Sequence, residues 1–168
     1  GSDFRTQCCI ELEAAATRAV AEHVPLTTVR LGHVLASSGG LLPHLERASF
    51  FGTRRLGDGQ QYVPWVHLAD AAAAVGFACD QQELWGRSVN VAAPKDATNE
   101  ELLEALAEMR QRRLRTVPVP APMLRAVFGE SASVILDSQR LEPKALSEVG
   151  FSFRYPDLRS CLGSAACL

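Results

Sequence analysis

Residues 4–22 contain neither glycine nor proline and set Phe4, Cys8, Leu12, Ala15 and Ala19 at helical spacing, with Glu11, Arg18 and Glu22 on a wetter face. The pattern predicts a long helix ended by Pro25. Residues 26–31 are β-branched and apolar apart from Arg30, the pattern of a strand covered on both faces of a parallel sheet. Residues 32–40, rich in glycine and serine, read as a loop at the carboxyl end of that strand. A helix is expected over 41–51, with Pro43 in its first turn and Phe50 and Phe51 either covering the loop or filling core.

Gly57-Asp-Gly-Gln-Gln-Tyr-Val-Pro-Trp-Val-His-Leu-Ala-Asp is the stretch around which the other elements are arranged. It predicts a tight turn at 57–59, an apolar extended piece over 62–66, and Asp70 as the cap of a helix that Ala71 opens. The alanines of 71–78 make that helix thin enough to approach a sheet closely. Such a rim is where an α/β protein keeps a ligand.

Trp85 and Gly86 turn the chain into a strand over 87–93, stopped by Pro94. Thr98 and Glu101 form a T-x-x-E capping box for a helix with Leu102, Leu103, Leu106 and Met109 on one side. A third strand is expected over 114–119, a short helix over 123–128, and one or two helices over 134–148 broken near Pro143 and ended by Gly150. A last short turn begins near Asp157. The expected division is 1–93, which includes the rim segment 57–70, and 94–168.

A chain of 168 residues has the size of one domain, and 47% hydrophobic with 21% charged residues suits a globular protein. The net charge of -2 offers no electrostatic attraction for nucleic acid, and no apolar run approaches a membrane span. Arg110, Arg112, Arg113 and Arg115, without interleaved aromatics, read as a solvated helix end. Five cysteines without C-x-x-C or Cys/His spacing support neither a disulfide frame nor a metal site. Reduced thiols point to a cytoplasmic protein.

Arg30 within an apolar run must meet a carboxylate or a ligand phosphate, and Glu13 and Asp70 are the candidate partners. His33 titrates near neutrality beside the strand end, as either a cofactor-contacting group or a hydrogen-bonded bystander.

Taken in order, these segments resemble a known group: Leu12-Glu-Ala-Ala-Ala, Val29-Arg-Leu-Gly-His-Val-Leu, the 57–61 turn, Trp65-Val-His-Leu-Ala-Asp, Asn90-Val-Ala-Ala-Pro, Thr98-Asn-Glu-Glu, Ser138-Gln-Arg and Gly150-Phe-Ser-Phe-Arg-Tyr-Pro-Asp-Leu. The chain is similar to the carboxyl-terminal half of the atypical extended short-chain dehydrogenase/reductases called epimerase family proteins. The resemblance implies an α/β, partial Rossmann-like fold lacking its amino-terminal strands, with a small substrate-side lobe. It also implies NADP(H) as cofactor and an unknown small molecule as substrate. Leu31, Gly32, His33 and Val34 would then lie on the cofactor side, and Gln61 and Trp65 would face substrate. For Trp65 and Asp70, core packing and helix capping are the competing roles.

Two features of that family are not found in the sequence. No G-x-x-G-x-x-G occurs, and this turn supplies the amides that hold a dinucleotide pyrophosphate, so weak or no cofactor binding is expected for the chain alone. Aligning the Tyr-x-x-x-Lys pair through Glu13 places Arg5 and Cys9 where the phenol and ammonium belong, so no catalytic residue is assigned. Val63 stands where nucleotide-sugar enzymes carry an arginine, which argues against a nucleotide sugar. The rival reading is a non-catalytic interaction module that associates through an uncovered sheet face, either with a second copy or with an amino-terminal half.

Overall fold

The computed structural model describes residues 4–21, 23–43, 45, 54–111, 115–128, 136–164 and 167. The architecture is α/β. Helix α1 (Phe4–Ala19) leads to β1 (Thr28–Leu31), β2 (His33–Ala36) and the two-residue β3 (Gly39–Gly40). Then come β4 (Arg54–Leu56), β5 (Trp65–His67), α2 (Leu68–Asp80), β6 (Ser88–Val91) and α3 (Asn99–Met109). After β7 (Arg115–Val119) come the short helices α4 (Ala121–Phe128), α5 (Lys144–Glu148) and α6 (Leu158–Leu162).

Strand β1 runs parallel to β6 in the register Thr28↔Ser88 to Leu31↔Val91. Gly32 continues the pairing by donating its N–H to Val91 O at 2.9 Å. The chain then crosses to a second sheet, in which β2 lies between antiparallel β3 and parallel β5. Residues 32–40 are therefore a strand and a tight hairpin, not the expected loop. Pairing with β5, some thirty residues on, extends this segment, and no local sequence signal reports that. Gly40 makes the hairpin possible: its φ is +68°, and a Cβ there would meet Val34 O. A third sheet pairs β4 with β7 in parallel.

Strand β1 departs from expectation in its burial. Arg30 and Leu31 are exposed, and among the described residues β6 is the only strand beside it. The apolar run that predicts two covered faces leaves Leu31 half-exposed. Helix α1, which ends at Ala19, shows Ile10 and Leu12 to solvent. Of the helix expected over 41–51, residues 42, 43 and 45 are helical, and Phe50 and Phe51 lie outside the described residues, as do Arg112 and Arg113. Over 134–148 residue 136 is helical and α5 follows, with Pro143 at its start and residues 138–143 irregular between them.

Among the described residues two cores pack on the β1–β6 and β3–β2–β5 sheets. Leu35, Leu42, Trp65, Leu102, Leu106 and Leu162 lead one of them. In the other, Ala71, Ala74 and Ala78 of α2 pack on Val66, Val89 and Val91, as the alanine spacing predicts. Each core draws side chains from both sides of residue 93. Among the described residues no helix is long and apolar enough to cross a membrane.

Helix α2 starts differently from the sequence expectation. It opens at Leu68, and His67 is its cap, with Nδ1 accepting the Ala69 N–H at 3.0 Å. Asp70 lies within the first turn, 3% exposed, and accepts the backbone N–H groups of Arg154 and Tyr155, each at 2.9 Å. The correction has a clear cause: the imidazole reaches the free amides first, and the carboxylate turns to a segment more than eighty residues away. The ring of Tyr155 stacks on His67 at 3.8 Å between centroids. Because His67 Nδ1 is an acceptor, the ring proton sits on Nε2 and is donated to Ser164 Oγ at 2.8 Å.

Replacing Asp70 by alanine would strand two part-buried amides. The expected loss is about 2–4 kcal/mol in urea denaturation, as for buried hydrogen bonds to a charged group. Burial, chiefly, lowers the pKa of His67 below its ordinary 6.5, with Arg154 pushing the same way and Asp70 opposing. The unfolded chain therefore binds a proton that the folded chain refuses, and stability falls as the pH drops from about 7 toward the lower folded value. His67→Asn, which retains a capping oxygen, is expected to flatten that part of the pH profile of the melting temperature. Burial lowers His33 in the same direction, so a residual slope is expected to persist.

Candidate functional site

The candidate site is an open cleft of about 830 Å³ at the carboxyl end of β1, lined on one side by Cys9, Leu12 and Glu13 of α1 and on the other by Ser138, Gln139 and Arg140. Its floor is Leu31, Gly32 and His33. Gly32 allows the chain to cross close beneath the rim, since a Cβ there would lie 3.0 Å from Pro64 O. His33 N–H is bound to that same carbonyl at 2.7 Å. Three of the four residues expected on the cofactor side therefore line one cleft. Val34, the fourth, turns inward and packs on the core with Val66.

Arg30 stands in the cleft wall and meets Glu13, one of its two expected partners, through paired hydrogen bonds of 2.8 and 2.7 Å. The guanidinium holds the Glu13 carboxyl below its usual range, and Glu13 in turn raises Arg30. The pair is exposed, so the desolvation cost feared from the sequence does not arise. Asp70 is committed elsewhere.

The two residues expected to face substrate lie behind the cleft wall. Trp65 is 1% exposed and belongs to the core with Leu35 and Leu102. Gln61, 6% exposed, donates its side-chain amide to Leu56 O at 2.8 Å. Their segment is occupied with α3. Gly59 O and Gln61 O accept the N–H groups of Glu100 and Asn99, each at 2.9 Å, while Thr98 and Glu101 form the predicted capping box. A motif that resembles a ligand rim thus satisfies the free amides of a helix start.

Sequence reasoning missed the wall formed by residues 138–140. Ser138 Oγ accepts the Tyr62 N–H at 3.0 Å, Gln139 N–H binds Tyr62 O at 3.1 Å, and the Arg140 guanidinium lies 3.8 Å over the Tyr62 ring. Asp96 pairs with Arg140 at 3.3 Å. The available signal was the cation and aromatic ring, which attract one another, but nothing in their spacing brings positions 62 and 140 together. Among the described residues no cluster of three or more histidine, cysteine or carboxylate groups is arranged to hold a metal. The cleft offers a hydrogen-bonding floor, two arginines and an exposed thiol, Cys9.

Residues 119–165 match a family described as a domain of unknown function, DUF1731. The mouse epimerase family protein SDR39U1 is 33% identical over 161 residues, 95% of this chain and 54% of the mouse protein. The crystal structure of human epimerase family protein SDR39U1, solved with NADPH, superposes with a TM-score of 0.85 at 30% identity over 95% of this chain and 54% of that one. A nucleoside-diphosphate sugar epimerase from Corynebacterium glutamicum gives a TM-score of 0.74 at 25% identity, over 96% of this chain and 30% of that one. The chain spans about half the length of the curated relatives it matches. In sequence and in fold, the chain is similar to the carboxyl-terminal portion of the epimerase family proteins.

Proposed function

We propose that this chain is the substrate-side half of an NADP(H)-dependent oxidoreductase of epimerase-like build. In this reading Leu31, Gly32 and His33 border the nicotinamide end of the cofactor, and residues 94–168 form a lobe over a small-molecule substrate. The observation that carries the reading is the convergence of those three residues on one cleft at a strand's carboxyl end. The NADPH present with the human relative supports it. Bound NADP(H) would supply the hydride. This chain's residues fit only one end of that cofactor, because no glycine-rich turn for the pyrophosphate occurs in the sequence. Their part is to floor the cleft, to place the Arg30–Glu13 pair at its wall and to narrow access through Arg140. The free thiols suit a reducing compartment such as the cytoplasm.

A second reading rests on a different observation. The open edge of β1 and the exposed Ile10, Leu12 and Leu31 make a surface that a neighbouring strand-and-helix layer would cover. That surface suits an interaction module as well as a half-enzyme.

Calorimetric titration with NADPH separates the two. The chain alone is expected to bind more weakly than about 1 mM, and addition of the part of the human relative that this chain does not span is expected to bring micromolar binding. In that mixture His33→Ala is expected to weaken NADPH about tenfold, a change of about 1.4 kcal/mol. Tight binding by the chain alone overturns the half-enzyme reading. Stable association that never yields NADPH binding favours the module.

A further inference from the structure

Two of the five cysteines differ from the rest. Cys8, Cys9 and Cys79 are exposed, whereas Cys161 and Cys167 are wholly buried with their Sγ atoms 3.9 Å apart. Successive turns bring them together. Gly163 N–H binds Arg159 O, Ser164 N–H binds Cys161 O, and Cys167 N–H binds Ser164 O, a curl in which Ser164 and Cys167 lie against the last turn of α6. Ser164, inside that curl, accepts the hydrogen bond from buried His67. Cys167 Sγ also lies 3.7 Å from Leu35 O, beside β2.

We propose that Cys161 and Cys167 are an oxidisable pair whose disulfide locks the Ser164 segment against His67 and the start of α2. A disulfide needs its sulfurs at about 2.0 Å, so the two atoms, now 3.9 Å apart, must close by roughly 2 Å. Burial, chiefly, together with the neighbouring Cys167, pushes the Cys161 thiol far above its ordinary pKa, which keeps it inert while covered. Oxidation therefore waits on a local opening of the curl, and closure of the bond afterwards opposes that opening. The oxidant class is a hydroperoxide. One thiolate attacks the O–O bond, forming a sulfenic acid and releasing hydroxide, which takes up the thiol proton as water. The second sulfur then displaces the sulfenic oxygen, forming S–S and a second water. Two thiols and one hydrogen peroxide thus give one disulfide and two waters, and a dithiol reverses the change.

The test uses the unmodified chain. N-ethylmaleimide applied to the native protein is expected to add to the three exposed thiols only; uptake at all five overturns the buried pair. Hydrogen peroxide is then added, the protein is denatured in fresh maleimide, and its mass is read. The expected product has lost two hydrogens, gains no further maleimide, and gains two after dithiothreitol, with a 161–167 cross-link in the peptide map. Two further maleimides without reduction, or sulfur oxygenation without a link, overturns the proposal. Amide exchange at Tyr155 is expected to slow about tenfold in the oxidised form. Unchanged exchange overturns the locking role.

Discussion

The clasp between Asp70 and the backbone of Arg154 and Tyr155 is the constraint on which most of the molecule depends. A buried carboxylate is tolerable only where donors surround it, and here two main-chain amides and the first turn of α2 supply that environment. Among the described residues the segment after α5 has no strand or long helix of its own to hold it. It is fixed because its amides satisfy Asp70, its Tyr155 ring covers His67, and Phe151 and Phe153 pack edge to face beside Phe77. In this way a polar requirement at the start of one helix positions the carboxyl-terminal residues of the fold.

The same economy governs the rim. The turn at 57–61 has the composition of a ligand loop, yet its carbonyls are spent on the first amides of α3. What remains open is the space above β1, where Gly32 lets two backbones cross closely and residues 138–140 complete the wall. A site built this way is defined by backbone crossings and by the Arg140–Tyr62 contact, more than by any one charged group.

Helix α1 and the outer edge of β1 are the least enclosed part of the described structure. Their apolar side chains face outward, and an exposed ion pair, Arg30 with Glu13, ties helix to strand. Exposed pairs contribute little stability.

The sequence alone determined what local physics controls: the capping box at Thr98, the alanine face of α2, the turn glycines, and the need of Arg30 for a carboxylate or a phosphate. It also carried the family, because ordered short motifs persist along the chain. Tertiary structure alone decided that residues 33–36 form a strand, that β4 finds β7, that His67 and not Asp70 caps α2, and that Trp65 is core. The physical reason is common to all four. Helical period, caps and turns are satisfied within a few residues, whereas strand partners and the bonds of a buried carboxylate are chosen among distant segments, and that choice is made only when the chain packs.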